Sequence, residues 1–247
     1  MSQPSESVRI LVWDWPVRVF HWLTVLSFAG AYLTAESERW RLVHITLGYT
    51  LGGLFAFRLV WGVVGTHYAL FSNFVRGPSA IFQYLKSLRS QRPEHHLGHN
   101  PAGAVAIVLL LSLGMGIVAT GYCIYNDIGG EWLSEWHEAI GNAMLLVVIG
   151  HIAGVISASW MHRENLARSM LTGYKQGSPE QAIRRNWAAI GALVLVCVLG
   201  FWCVQWNNAP EPVATDSATL QPMPLPKSTS ASTFTSTAKP LAASTST

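Results

Sequence analysis

Nine histidines occur in this chain of 247 residues. Four of them, His21, His44, His137 and His151, fall in or at the mouths of long apolar stretches. An imidazole inside a membrane is costly without a partner or ligand, so such residues are functional candidates from the outset. Their spacing narrows the chemistry. His137 and His151 share one stretch and stand 14 residues apart. At about 100° and 1.5 Å per residue, they point within roughly 40° of the same direction and lie about 21 Å apart along a helix. One helix thus offers two imidazoles to one side at two depths. Two imidazoles from different helices at one depth suit an iron held by two axial histidines, which passes electrons and binds no substrate at the metal. The competing reading gives each histidine an ordinary interhelical hydrogen bond.

The elements that must position these residues follow from composition. Half the residues are apolar and 12% are charged, with a mean hydropathy of +0.30, whereas soluble domains carry about 25% charge. That excludes an ordinary soluble enzyme and a disordered chain. Three scattered cysteines, Cys123, Cys197 and Cys203, do not make a disulfide framework. No Cys-x-x-Cys-His occurs, which excludes a covalently attached c-type haem.

A hydrocarbon core of roughly 30 Å needs about 20 apolar residues in a helix. Five stretches qualify: about Trp15–Thr34, Trp40–Val64, Pro101–Asn126, Trp136–Met161 and Asn186–Asn208. Each must be helical, because lipid offers the backbone no hydrogen-bond partner. With alternating helices, His44 and His137 both lie near the start of a span that begins on the same side. His21, about 13 residues before the end of the first span, is level with His151. Two pairs at two depths result.

Lys and Arg set the orientation. The N-terminus, Arg58 and the loops 65–100 and 162–185 hold 12 of these residues, and the other side holds 4. The N-terminus, residues 1–9, is therefore expected in the cytoplasm and the C-terminus outside, in a bacterial inner membrane. No cleavable signal is expected, since no small-x-small site closes the first apolar run. The basic pI is accounted for by this asymmetry, without nucleic acid. Residues 78–89 place Ile81, Phe82, Leu85 and Leu88 on one face and suggest a short surface helix. Residues 209–247 hold 15 Ser/Thr and 6 Pro and suggest a disordered extracytoplasmic tail.

Other residues are weighed beside the four histidines. His95, His96 and His99 resemble one box of a membrane di-iron enzyme, although Asn100-Pro101 also reads as a helix cap. A membrane metal enzyme built on that cluster is one rival. A cofactor-free anchor subunit is another. His137-Glu138 starts a His-Glu-x-x-His pattern that fails at Gly141. Gly48, Gly52, Gly53, Gly141, Gly150 and Gly154 allow close approach, either of helices or of a flat macrocycle. Arg58 and Arg18 lie near the depth of His21 and His151, where an arginine binds a haem propionate or snorkels to the surface. Arg39 and Arg41 are the candidates at the other level.

Several motifs in order then carry a resemblance: Pro16-Val-Arg-Val-Phe-His21-Trp, Arg41-Leu-Val-His44, Arg58-Leu-Val-Trp-Gly-Val-Val-Gly, Gly98-His-Asn-Pro101, Trp136-His137 with His151, and Met170-Leu-Thr-Gly-Tyr174. Residues 10–175 resemble the b-type cytochrome subunits of nickel–iron hydrogenases and the related prokaryotic di-haem cytochromes b. The resemblance implies an all-α integral membrane protein: a four-helix bundle holding two non-covalent b haems, with a fifth membrane helix at 186–208 outside the matched part. By position it implies His21, His44, His137 and His151 as the iron ligands. It also implies electron exchange between an extracytoplasmic redox protein, either a c-type cytochrome or a hydrogenase-like oxidoreductase, and membrane quinone.

Overall fold

The computed structural model describes residues 8–75, 77, 79, 82, 83, 86 and 97–209. Five long helices dominate: α1 (Trp15–Thr34), α2 (Arg41–Val64), α4 (Pro101–Tyr125), α5 (Trp132–His162) and α7 (Ala188–Asn207). Short helices α3 (Phe71–Phe74) and α6 (Leu166–Thr172) lie between them. Two strands, β1 (Val8–Leu11) and β2 (Tyr174–Gly177), also occur among the described residues. The tail, His95 and His96 lie outside the described residues, as does most of the expected surface helix.

Four of the long helices are long and apolar enough to cross a membrane. The other, α1, has 20 residues, enough for about 30 Å. Arg18, His21 and its tryptophans lower its mean hydropathy, and it packs chiefly against α2 and α7. Exposed Leu26, Val63, Leu146, Ile156, Leu193 and Val196 give the helices apolar outer surfaces, as lipid-facing sides require. The start of α5 corrects the expected boundary at Trp136: the helix begins at Trp132 and runs 31 residues.

Helix starts follow sequence chemistry. The Asp14 side chain accepts from Val17 N and caps α1, with Pro16 in the first turn. Asn100 does the same for α4 through Gly103 N, with Pro101 at the first position. Each cap satisfies a backbone donor that no helical carbonyl can reach.

Neighbours in sequence are neighbours in space. α1 packs on α2, α2 on α4, and α4 on α5. The fifth long helix is not peripheral. It lies along α1, where Gly191 comes so close that a Cβ would stand 3.0 Å from the Trp15 backbone. Trp202 Nε1 also donates to Thr50 Oγ1 at 2.8 Å, tying α7 to α2.

The ribbon was not expected from the sequence. β1 and β2 pair antiparallel, Val8 with Gly177 and Leu11 with Tyr174. Val12 and Trp13 then both donate to the Gly173 carbonyl, at 2.9 and 3.0 Å. Gly173 has φ +89°, and a Cβ there would meet the Trp13 carbonyl oxygen at 2.8 Å. Only glycine suits that conformation and that approach. Ile10, Val12, Trp13, Val17, Trp61 and Ala69 form a core beneath the ribbon. A second core, of Phe28, Leu51, Phe55, Leu111 and Met144, fills the middle of the bundle.

Candidate cofactor site

His44 is on α2 and His137 on α5, and the structure brings their rings to 6.1 Å between centroids. Metal–imidazole bonds of about 2.0–2.1 Å place two ring centres roughly 6 Å apart across one ion. Each ring is also aimed by its other nitrogen. His44 Nδ1 lies 2.8 Å from the Ala31 carbonyl oxygen. A carbonyl only accepts, so Nδ1 carries the proton and Nε2 keeps its lone pair. His137 Nδ1 lies 2.9 Å from Thr120 Oγ1. That hydroxyl donates back to the helix carbonyls of Gly116 and Ile117, so it accepts from His137. Both imidazoles therefore have the tautomer and second partner that metal-bound histidines require. Gly121 on α4 leaves space for the His137 ring, whose Cε1 would stand 3.0 Å from a Cβ there.

His21 on α1 and His151 on α5 lie within electrostatic range of each other at the ribbon end. The edge of the Trp22 ring meets His21 at 5.0 Å between centroids. His21 Nδ1 is enclosed with no hydrogen-bond partner among the described residues. The structure brings the His44 and His137 rings together, and it leaves His21 and His151 close enough to feel each other's charge.

Several donors at the ribbon end are enclosed without a partner among the described residues. Arg58 is 3% exposed, so it does not snorkel. Its guanidinium lies over the Phe71 ring at 4.6 Å, and Nη2 donates to the Ala69 carbonyl at 3.0 Å. Nη1 is enclosed and unpartnered among the described residues, as are Arg18 Nε and His99 Nδ1. Arg18 also donates through Nη2 to the Leu171 carbonyl. Buried donors normally find acceptors. An acidic group such as a propionate supplies the missing chemistry, and the donor set fits one.

Asp14 does not fill that role. It is fully buried, and Oδ2 accepts from Trp61 Nε1 at 3.0 Å and from Thr66 Oγ1 at 2.6 Å. With Val17 N on Oδ1, the carboxylate is already engaged. No signal in the sequence marked this role of Asp14. Thr120 gave no signal, because its role depends on α5 lying against α4.

His99 belongs to the packing of this end. It sits between Trp13 and Phe74, with ring centroids at 4.7 and 4.6 Å. Among the described residues, no three His, Cys, Asp or Glu side chains gather around a metal-sized point. Burial pushes His99 down to about 3, and the positive charge of Arg58 adds to this. It is neutral in the fold, whereas an unfolded histidine gains a proton below about pH 6.5. Stability therefore falls as pH drops from 6.5 toward 3. Thermal unfolding in detergent between pH 7 and 5 should show His99→Phe with the shallower fall. Parallel curves for the two proteins would contradict this.

Of the six glycines flagged by the sequence, Gly52 packs on Val118 and Gly141 on Ile117. Gly48, Gly53, Gly150 and Gly154 border open space, with nothing within 4 Å of a Cβ. Gly48 stands one turn after His44, and Gly150 and Gly154 flank His151. Those three leave room beside the histidines that a side chain would narrow.

Residues 12–173 match the family described as prokaryotic cytochrome b561. The chain belongs to that family. This cytochrome is a mostly helical, multi-pass membrane protein of the b type, whose prosthetic group is haem b. A probable Ni/Fe-hydrogenase 1 B-type cytochrome subunit of Escherichia coli (strain K12) is 24% identical, over 71% of this chain and 94% of its own length. The corresponding probable subunit of Azotobacter vinelandii is 24% identical, over 69% and 92%. That of Bradyrhizobium diazoefficiens is 22% identical, over 68% and 86%. No solved structure matches the cytochrome. The matched region holds all four histidines and both arginines.

Proposed function

We propose that this cytochrome relays single electrons across a bacterial inner membrane through two b haems, each held by two histidines. His44 and His137 hold the outer haem, and His21 and His151 the inner. The observation that carries this reading is the His44–His137 ring pair at 6.1 Å, with both Nδ1 atoms engaged elsewhere. Bound haem supplies reversible one-electron chemistry at an iron with no open position.

The protein's own residues do the rest. The Ala31 carbonyl and Thr120 hydroxyl fix the two outer rings and raise their basicity. Arg58 and Arg18, with unused donors at the ribbon end, hold the inner propionates. The apolar helices exclude water and so favour the less charged state at each level. The Lys and Arg distribution supports an N-terminus in the cytoplasm and a C-terminus outside.

Electrons pass between a redox protein on the outer side and quinone in the membrane. Relatives named as Ni/Fe-hydrogenase cytochrome subunits favour a hydrogenase-like oxidoreductase as that protein, with a c-type cytochrome as the other reading. The deciding measurement is a dithionite-reduced minus oxidised spectrum of purified protein, with haem quantified as the pyridine haemochrome. Two b haems per chain are expected. A folded, colourless protein made with haem available would overturn the proposal.

A further inference from the structure

The middle core of the bundle has a regular relation to the histidines. Phe28 follows His21 by seven residues, and Leu51 follows His44 by seven. Met144 stands seven after His137 and seven before His151. Seven residues are nearly two full turns, so each side chain shares a helix face with its histidine, about 10.5 Å further along. These are also among the best buried side chains in the protein. Met144 is 2% exposed, Leu51 3% and Phe28 8%. Phe55, at 1%, and Leu111 pack with them in one cluster. Gly114 on α4 makes room for the Phe55 ring, since a Cβ there would stand 2.4 Å from it. All five side chains of this layer are apolar.

We propose that this five-residue layer is the bridge between the two haem levels, with Met144 as its central, rate-setting side chain. The inference rests on the two-haem reading. The step it serves is a one-electron exchange. Iron at one level is oxidised from ferrous to ferric as iron at the other is reduced from ferric to ferrous, and no bond or proton changes hands. Electrons tunnel better through bonded and closely packed atoms than through empty space. Met144 is unbranched and polarizable, and it lies midway between two histidines of its own helix. Its truncation to alanine leaves a gap, because packed cores relax only partly around a lost side chain.

The test compares wild type with Met144→Ala and Met144→Leu in detergent. Haem content and low-spin ferric resonance signals report whether both haems and their ligands are kept. Electrons injected by pulse radiolysis then report exchange between the haems, followed in their visible bands. Met144→Ala should slow that exchange several-fold with both haems retained, and Met144→Leu should stay close to wild type. If the alanine variant loses a haem, Met144→Val makes the same comparison with a smaller gap. Two haems with exchange unchanged on truncation would overturn the bridge alone. Fewer than two haems in the wild type would overturn the two-haem reading, and the bridge with it.

Discussion

His44→Ala should halve the haem content and leave the inner haem in place, and His151→Ala should remove the inner haem and leave the outer. The two losses are separable because the pairs stand at different depths, about 21 Å apart along α5 by helix geometry. Each pair also has its own surroundings. His44 and His137 are held by Ala31 and Thr120, whereas His21 and His151 lie near Arg58 and His99. Redox titration of each variant should therefore show a single wave, and the two waves should differ in midpoint. Thr120→Val supplies an intermediate case. It keeps all four ligands but removes the acceptor of His137 Nδ1–H, and such partners are worth about 10–100-fold in metal affinity. The outer haem should then be lost more easily on dilution, with the inner haem unaffected. If His44→Ala and His151→Ala lost the same haem, or neither, the pairing would be wrong.

Asp14→Ala should be the most destabilising single change at the ribbon end. The carboxylate accepts from Val17 N, Trp61 Nε1 and Thr66 Oγ1, and its charge lies within reach of Arg58. Alanine would leave the buried Val17 N and Trp61 Nε1, and the half-buried Thr66 hydroxyl, without this acceptor. Each buried donor left unsatisfied costs about 1–3 kcal/mol, so thermal unfolding in detergent should move to lower temperature. Asp14→Asn keeps the cap to Val17 N but turns an amide toward two other donors, and an intermediate loss is expected. An alanine variant as stable as wild type would show that these contacts are incidental.

The sequence made the helices and histidines readable for a physical reason. Long uncharged runs have few options in lipid, and a repeat of 14 on one helix fixes a face. What it did not reveal depends on contacts between distant segments. β1 is a four-residue run whose partner lies more than 160 positions away, and neither strand carries a periodic pattern long enough to detect. Arg58 looked free to reach the surface, yet residues 65–74 fold back and enclose it through Ala69 and Phe71. Asp14 drew no attention in the sequence because its partners Trp61 and Thr66 come from the far end of α2 and the loop after it. The expected start of α5 was late because Trp132 and Glu135 weaken the hydropathy of its first turn without weakening the helix.

The ribbon also sets an order of assembly. Its first strand leaves the ribosome long before Tyr174–Gly177 exist, and 166 residues separate Leu11 from Gly177. At about 5–20 residues per second, synthesis of the partner takes roughly ten to thirty seconds. Through that interval α1 can enter the bilayer, but its leading segment has no sheet partner. The buried end near Asp14 cannot close either, since Gly173 and Asn186 both hold that segment. On the proposed two-haem reading, His151 is made only 23 positions before Tyr174, so the last-made strand closes this end soon after its second histidine exists.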